Sequence, residues 1–226
     1  MMDRKEDVFD FKKEYKDLYL PKQKSVLIDV PSMNFFMVDG QGDPNTSEEY
    51  QEAVEILYGL SYTIKMSKKG SSQPAGYFDY IVPPLEGLWW FKDDHYHPGR
   101  LKDKSEFCWT SMIRQPDFVT EEVFAWAIQE LKKKKPNLNT SKARLESLTE
   151  GLCVQMMHIG PYETEPETIA QIEQFILDQS FANAIGDRLP TGRIRRHHEI
   201  YLADPRKTAP AKLKTVIRHP VRKHTL

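Results

Sequence analysis

Two stretches of this chain, 118 positions apart, carry the same three signals in the same register. Gly42 and Gly160, Thr46 and Thr164, and Glu49 and Glu167 each stand 118 residues apart with no gap between the pairs. In each stretch a strand-like run comes first: Phe35 to Val38 in one, Leu152 to Met157 in the other. A glycine then marks a turn. A Thr followed three residues later by Glu reads as a capping box that opens a helix. In the first helix Tyr50, Ala53, Val54, Leu57 and Tyr58 share an apolar face, with Gly59 as its C-terminal cap. In the second, Ile169, Ile172, Phe175 and Ile176 do so, and Pro166 falls in the first turn, where a missing N–H costs little. The chain is therefore expected to be built from two copies of one strand–turn–helix unit.

The repeat is expected to continue. Tyr62–Met66 and Gly76–Val82 read as strands in the first half, and His198–Ala203 and Leu213–Arg218 in the second, each pair ending near proline. Between the halves, Leu88–Phe91 and Phe107–Arg114 read as strands, with a polar loop from Lys92 to Lys104 between them. Thr120–Lys135 reads as a helix, with Val123, Phe124, Ala127 and Leu131 on one face; a short helix is expected over 140–149 and another over 7–19. The expected fold is α+β. Tandem strand–helix–strand–strand repeats would be related by a pseudo-twofold axis around a central ligand cleft. The 226 residues would form one domain, with a first repeat at about 26–90, added elements at about 91–150 and a second repeat at about 151–221.

Composition narrows the function classes. Positive and negative side chains nearly cancel, to a net charge of −1, so no basic field points to nucleic acid. The Lys132–Lys135 run suits a solvated helix end. No apolar run approaches the roughly 20 residues that cross a bilayer. Two cysteines, Cys108 and Cys153, make no disulfide framework, and Met1–Asp7 lacks a signal-peptide apolar stretch. A cytoplasmic location is expected. The seven histidines show no metal-ligand spacing: His95 and His97 flank Tyr96, and His197 and His198 are adjacent. No Gly-x-Ser-x-Gly elbow appears, and Gly40-Gln-Gly42 lacks the third glycine and the lysine of a nucleotide loop. No metal and no cofactor are expected.

On the strand 198–203, alternation puts Ile200 and Leu202 on one face and Glu199 and Tyr201 on the other. The expectation is that helices cover the Ile/Leu face and that Glu199 and Tyr201 face a cleft. Burial there would raise the carboxyl's pKa. The competing reading is an edge carboxylate in water, paired with Arg195, Arg196 or His197. Gly160-Pro161 makes a corner that aims Tyr162; the first half has Gln41-Gly42-Asp43 there, so a role for the tyrosine is asymmetric. Trp89 and Trp90 must point to opposite faces, and alternation cannot assign them; Trp89 is taken as the cleft residue. Trp109 and Met112 are further candidates, since rings and flexible methionines accept varied flat ligands. Trp126 reads as helix packing, and Glu86 as a solvated turn carboxylate.

His158-Ile-Gly-Pro-Tyr162, Pro84-Leu-Glu-Gly-Leu-Trp-Trp90, Met112-Ile-Arg-Gln-Pro-Asp-Phe118, Glu199-Ile-Tyr-Leu-Ala-Asp204, Leu213–Ile217 and Pro220-Val221 together resemble the GyrI-like small-molecule-binding family, over roughly Val26 to Val221. That family shares its fold with the drug-binding domains of bacterial multidrug-responsive regulators. The resemblance implies a cleft for flat, apolar, often cationic or electrophilic molecules, walled by aromatics around a buried glutamate. Some free-standing members hydrolyse cyclopropane-bearing DNA alkylators. On that basis Glu199 is the expected general base and Tyr162 the expected oxyanion donor. Trp89, Trp109, Met112, Tyr201, His158 and Phe36 are the expected ligand-lining residues. The alternative is a non-catalytic module that sequesters or senses a drug; a topoisomerase-binding role follows from the family name alone. The expected partner is a small molecule, with no nucleic acid and no membrane, and a homo-oligomer stays open.

Overall fold

The computed structural model describes residues 8–70, 73–92 and 104–223. In chain order the elements are β1 (Phe9–Asp10), α1 (Phe11–Glu14), α2 (Lys16–Tyr19), β2 (Val26–Gln41), α3 (Glu48–Lys65), β3 (Tyr80–Ile81), β4 (Leu85–Phe91), β5 (Phe107–Arg114), α4 (Glu121–Lys134), β6 (Arg144–Ile159), α5 (Glu165–Asp178), β7 (Phe181–Asn183), β8 (His197–Tyr201) and β9 (Lys214–Lys223). Most of the expected 92–104 loop, with His95, Tyr96 and His97, and the segment Met1–Asp7 lie outside the described residues.

Six strands pair antiparallel in the order β6-β2-β5-β4-β8-β9, and β9 returns to pair with β6, which closes a barrel. Alternation then gives every strand an inner and an outer face. Phe35, Met37, Leu88, Met112, Ile200 and Val216 point inward, and α1 and α2 add Phe11, Leu18 and Tyr19 to that cluster. Phe36, Val38, Trp109 and Ile113 point outward, under α3 and α4. Val154, Met156 and Ile217 point outward under α5. The two long helices thus lie on the outside of the barrel, α3 over β2 and β5, and α5 over β6 and β9. The outer face of β4 and β8 lies between them.

Local chemistry sets the helix starts. Ser47 Oγ accepts a hydrogen bond from the Tyr50 N–H at 3.2 Å and caps α3. Thr120 does the same for Val123 N at the start of α4. The expected Thr46/Glu49 box is thus displaced by one residue. Thr164 occupies the N-cap of α5 without a capping bond, because its hydroxyl donates to the Pro161 carbonyl at 2.8 Å instead. Gly42 and Gly160 do sit at positive φ, +102° and +146°, as the two turns require.

Several expected elements differ. Tyr62–Met66 is the last turn and C-cap of α3: Leu57, Leu60 and Ile64 continue its buried face past Gly59, so the helical period outweighs strand propensity. Of 76–82, only Tyr80–Ile81 is strand, bridged to β1. The segment expected as a helix over 140–149 is a single 3₁₀ turn, Thr140–Lys142, followed by β6, which pairs with β2 from Arg144 to Gln155. Of the segment expected as one helix over 7–19, the described residues hold two single-turn helices, Phe11–Glu14 and Lys16–Tyr19. The Phe107–Arg114 strand is as expected.

Glu86 is not solvated. It is 1 % exposed inside the barrel and accepts hydrogen bonds from Tyr19 (3.2 Å) and His198 Nε2 (3.0 Å). His198 Nδ1 reaches Glu150 at 3.0 Å, and Arg218 reaches the other Glu150 oxygen at 2.7 Å. Burial pulls the His198 imidazole down, but the Glu150 and Glu86 carboxylates outweigh it and raise its pKa to about 9. Burial works against the Glu150 charge too; His198 and Arg218 override it and hold that carboxyl at about 2. The barrel core is therefore part hydrocarbon and part closed ionic network, with its charges paired as burial requires.

Candidate functional site

The gap between α3 and α5 is a cavity of about 1360 Å³, and its floor is the outer face of β4 and β8. On β8, His197, Glu199 and Tyr201 share this face. Glu199 and Tyr201 do lie opposite Ile200, but on the side that carries the helices, not away from them. Barrel closure is the reason: the Ile200 face is the packed interior, and only the outer face can hold both helices and a cavity.

The floor is a tight hydrogen-bonded set. His197 Nε2 lies 2.8 Å from Glu199 Oε1. Tyr201 donates to Glu199 Oε2 at 2.7 Å, and Trp89 Nε1 donates to the Tyr201 oxygen at 2.8 Å. Gly87, paired with Glu199 across the β4–β8 ladder, permits this: a Cβ there would come within 2.6 Å of Trp89 Nε1 and 3.3 Å of the Tyr201 hydroxyl. The missing side chain at 87 leaves room for the indole and for a guest above the carboxylate. The Glu199 side chain is only 15 % exposed.

Burial alone would raise the Glu199 carboxyl, as expected from sequence. The His197 hydrogen bond and charge, with the Tyr201 hydrogen bond, reverse the direction and hold it below the usual range. The second carboxyl takes up the difference. Glu165, in the first turn of α5, is buried with Oε1 unpartnered, and it is pushed well above the usual range by burial and then by the Glu199 charge. The two crowded carboxyls are thus pushed apart, Glu199 below the usual range and Glu165 above it, the split that crowded carboxyls reach when both do not readily ionise.

Rings wall the cavity. Tyr50 on α3 lies 6.0 Å from Trp89, Phe107 packs edge-on to Trp89 at 5.7 Å, and Tyr162 packs edge-on to Tyr201 at 6.0 Å. Burial and then the charges of Glu165 and Glu199 lift the Tyr162 phenol to about 12, so it keeps its proton. Trp90 packs on the opposite face, against the inner cluster, with the Arg196 guanidinium 4.5 Å from its ring.

Of the sequence-derived residues, Glu199, Tyr162, Trp89 and Tyr201 come together here. Four do not. Trp109 is fully buried beneath α3, edge-on to Tyr50 at 5.0 Å and close against Gly40, where a Cβ would lie 2.3 Å from the ring. Phe36 is buried against Phe124 of α4. Met112 points into the barrel, opposite Met37. His158 lies on the other flank of α5, 2.8 Å from Thr168 and 3.2 Å from the Pro161 carbonyl, and braces the Gly-Pro turn. Sequence reading missed Glu165, Tyr50 and His197 as cleft residues. Tyr50 was visible as one end of an apolar helix face; an acidic first turn beside Pro166 was the only signal for Glu165. Among the described residues no group of three His, Cys, Asp or Glu could hold a metal ion, and no helix is long and apolar enough to cross a membrane.

A closed antiparallel barrel with an aromatic, acid-floored cavity between two outer helices defines a class of small-molecule-binding domain. The sequence matches the GyrI-like small molecule binding domain over residues 23–222, and the chain belongs to that family. Among solved structures it is similar to an uncharacterized conserved protein from Listeria innocua, at 52 % identity and TM-score 0.85, and to a hydrolase encoded by lin2189 from the same organism, at 51 % and 0.83. Each match covers 95 % of this chain and 100 % of the other. It also shares the fold of the EcmrR C-terminal domain, at 12 % identity and TM-score 0.50, over 89 % of this chain and 98 % of that one. No curated protein matches.

Proposed function

We propose that the cleft binds flat, apolar, cationic or electrophilic small molecules and hydrolyses cyclopropane-bearing alkylators. One observation carries this reading: a buried Glu199 on the floor of an aromatic cavity, accepting from Tyr201, with Glu165 and Tyr162 lining the same cavity; its carboxyl is held below the usual range while burial pushes the Glu165 carboxyl and the Tyr162 phenol up. Glu199 draws a proton from a water, and the water oxygen bonds to a strained ring carbon. The ring C–C bond breaks, and its electrons pass through the conjugated dienone to the carbonyl oxygen. Tyr162 donates a hydrogen bond to that oxygen as it becomes negative, and a proton completes the addition of water; Glu165 holds one nearby. General-base help contributes roughly 10²–10⁴-fold and an oxyanion donor a few kcal/mol. The related Listeria protein called a hydrolase is consistent with this chemistry. The test is mass spectrometry of a cyclopropane-bearing dienone incubated with the protein. A mass gain of one water is expected, and it should vanish in Glu199→Gln; wild-type turnover in that variant would refute the mechanism.

Sequestration without chemistry is the second reading. It is favoured by the two hydrogen bonds that Glu199 already accepts, which lower its basicity while preserving its charge. Both readings place the site between two halves of a doubled unit. β2 and β6 are each 16 residues long and start at 26 and 144, the same 118-residue offset as the turns. The pairings β2–β5, β5–β4 and β2–β6 have the counterparts β6–β9, β9–β8 and β6–β2. On this reading the second unit begins near Arg144 rather than 151, within one domain.

A further inference from the structure

The chain of side chains behind Glu199 does not stop at His197. His197 Nδ1 lies 2.8 Å from His219 Nε2, and His219 Nδ1 lies 2.8 Å from Glu173 Oε1. The path runs from the cavity floor on β8, across β9, and under α5 to a helix residue whose side chain is 24 % exposed. His219 itself is fully buried. Asn183 of β7 donates to the same Glu173 oxygen at 2.6 Å and fixes the far end.

Counting protons makes the line more than a set of contacts. Three hydrogen bonds join Glu199, His197, His219 and Glu173, and each needs one proton. Two neutral imidazoles carry one N–H each, and two carboxylates carry none. One further proton must be shared along the line. It can sit on His197, which then donates to both Glu199 and His219, at the Glu173 end, with both imidazoles donating toward Glu199, or at the Glu199 end, with both donating toward Glu173.

We propose that Glu199–His197–His219–Glu173 is a proton relay that discharges the cavity base to solvent beneath α5 while a ligand covers the cavity side. This rests on Glu199 acting as the base of the proposed hydrolysis. A proton held at the Glu199 end of the line passes to His197 Nε2, which leaves Glu199 ionised and accepting from that nitrogen, ready to take a proton from water. His197 releases its Nδ1 proton to His219 Nε2, His219 releases its Nδ1 proton to Glu173, and Glu173 gives it to bulk water. No charge is stranded, because each ring accepts on one nitrogen as it releases from the other. Burial, partly offset by Glu173, holds the His219 pKa at about 4, so the ring is neutral at pH 7 and cannot trap the proton. His219 and Glu173 touch no ligand in this scheme; they are positioning residues acting through Glu199.

The test uses Glu173→Gln, at the partly exposed end where folding is least at risk, and His219→Gln. With a cyclopropane-bearing dienone as probe, each should lower turnover by about ten- to a hundredfold, short of the roughly 10²–10⁴-fold of general-base loss. Each should leave binding of N-methylacridinium within about threefold. In mixed H₂O/D₂O the wild type should show the curved rate dependence of several protons in flight, and Glu173→Gln a linear one. If Glu199→Gln is inactive but Glu173→Gln and His219→Gln turn over like wild type, the relay is wrong and the base reading stands. If Glu199→Gln is fully active, the base reading itself fails. A readout without turnover completes the test: in ¹⁵N-histidine-labelled protein, Glu173→Gln should shift the ring nitrogens of His197 as well as those of His219. A His197 signal that does not move overturns the relay.

Discussion

Replacing Glu199 by Gln removes one charge from the cavity floor and little else. The amide oxygen can still accept from Tyr201, and the amide nitrogen can donate to His197, which needs only the other ring tautomer. The effect on a guest is then close to a pure electrostatic difference. For a cation stacked on Trp89 and taken at about 4 Å from the carboxylate, a unit pair is worth about 1 kcal/mol in water and about 4 kcal/mol at an effective dielectric of 20. With its side chain 15 % exposed, Glu199 lies between those limits. We expect a loss of about 2 kcal/mol, close to 30-fold in Kd. The assay is titration calorimetry with N-methylacridinium and with N-methylacridone, which match in size and shape but differ in charge. The cation should lose about 30-fold and the neutral ligand less than about threefold. Equal losses would mean that the variant disturbs the walls rather than the charge, and the electrostatic account of the site would fail.

Tyr162→Phe should slow hydrolysis of a cyclopropane-bearing dienone by about ten- to a hundredfold, as loss of an oxyanion donor does, with acridinium affinity unchanged by calorimetry. Gly87→Ala puts a methyl 2.6 Å from Trp89 Nε1 and should break the Trp89–Tyr201 bond; acridinium affinity should fall at least about tenfold, with a modest stability loss of about 1–3 kcal/mol. Gly40→Ala, with its Cβ 2.3 Å from the Trp109 ring, should lower the thermal midpoint by several degrees in calorimetry while any folded fraction binds normally. The His198 pKa is raised from 6.5 to about 9, so its contribution to stability is full below about pH 6.5 and is lost as pH rises through 9; Glu150, held at about 2, loses its contribution only in acid, as pH falls from 4.5 through 2. Urea midpoints should therefore decline between pH 6.5 and 9, and His198→Gln should flatten that limb.

Strands and helices with one strong period were legible in the sequence. Phe107–Arg114 is a compact run rich in aromatic and β-favouring residues, and α4 and α5 show single apolar faces between start and stop signals. The errors came where two periods compete. Tyr62–Met66 has strand-like residues, yet Leu60 and Ile64 stay in phase with the helix before them. Arg144–Thr149 is polar enough to read as a helix, but its partner strand β2 supplies the hydrogen bonds. The site was legible only in part for the same reason. Alternation gives the two faces of a strand but not which face closes inward, so Glu199 was placed on the correct side of β8 for the wrong cover. Trp109 and Met112 are indistinguishable from cleft residues until α3 and the closed barrel are in place. Glu165 reaches the floor from another element, and its raised pKa follows from burial there and from the Glu199 charge, which no local pattern encodes.

β8 is five residues long and serves two compartments by turns. His198 and Ile200 belong to the sealed interior, where His198 holds an ionic network together; His197, Glu199 and Tyr201 belong to the guest. Drift in what this protein accepts is therefore confined, on this strand, to every second letter. An inserted or deleted residue would exchange the two sets at once, bringing a charged histidine out to the ligand and a glutamate into the hydrocarbon. Ligand preference here can change by substitution in place but not by slippage, which makes the length of this strand a harder boundary than the identity of any one of its side chains.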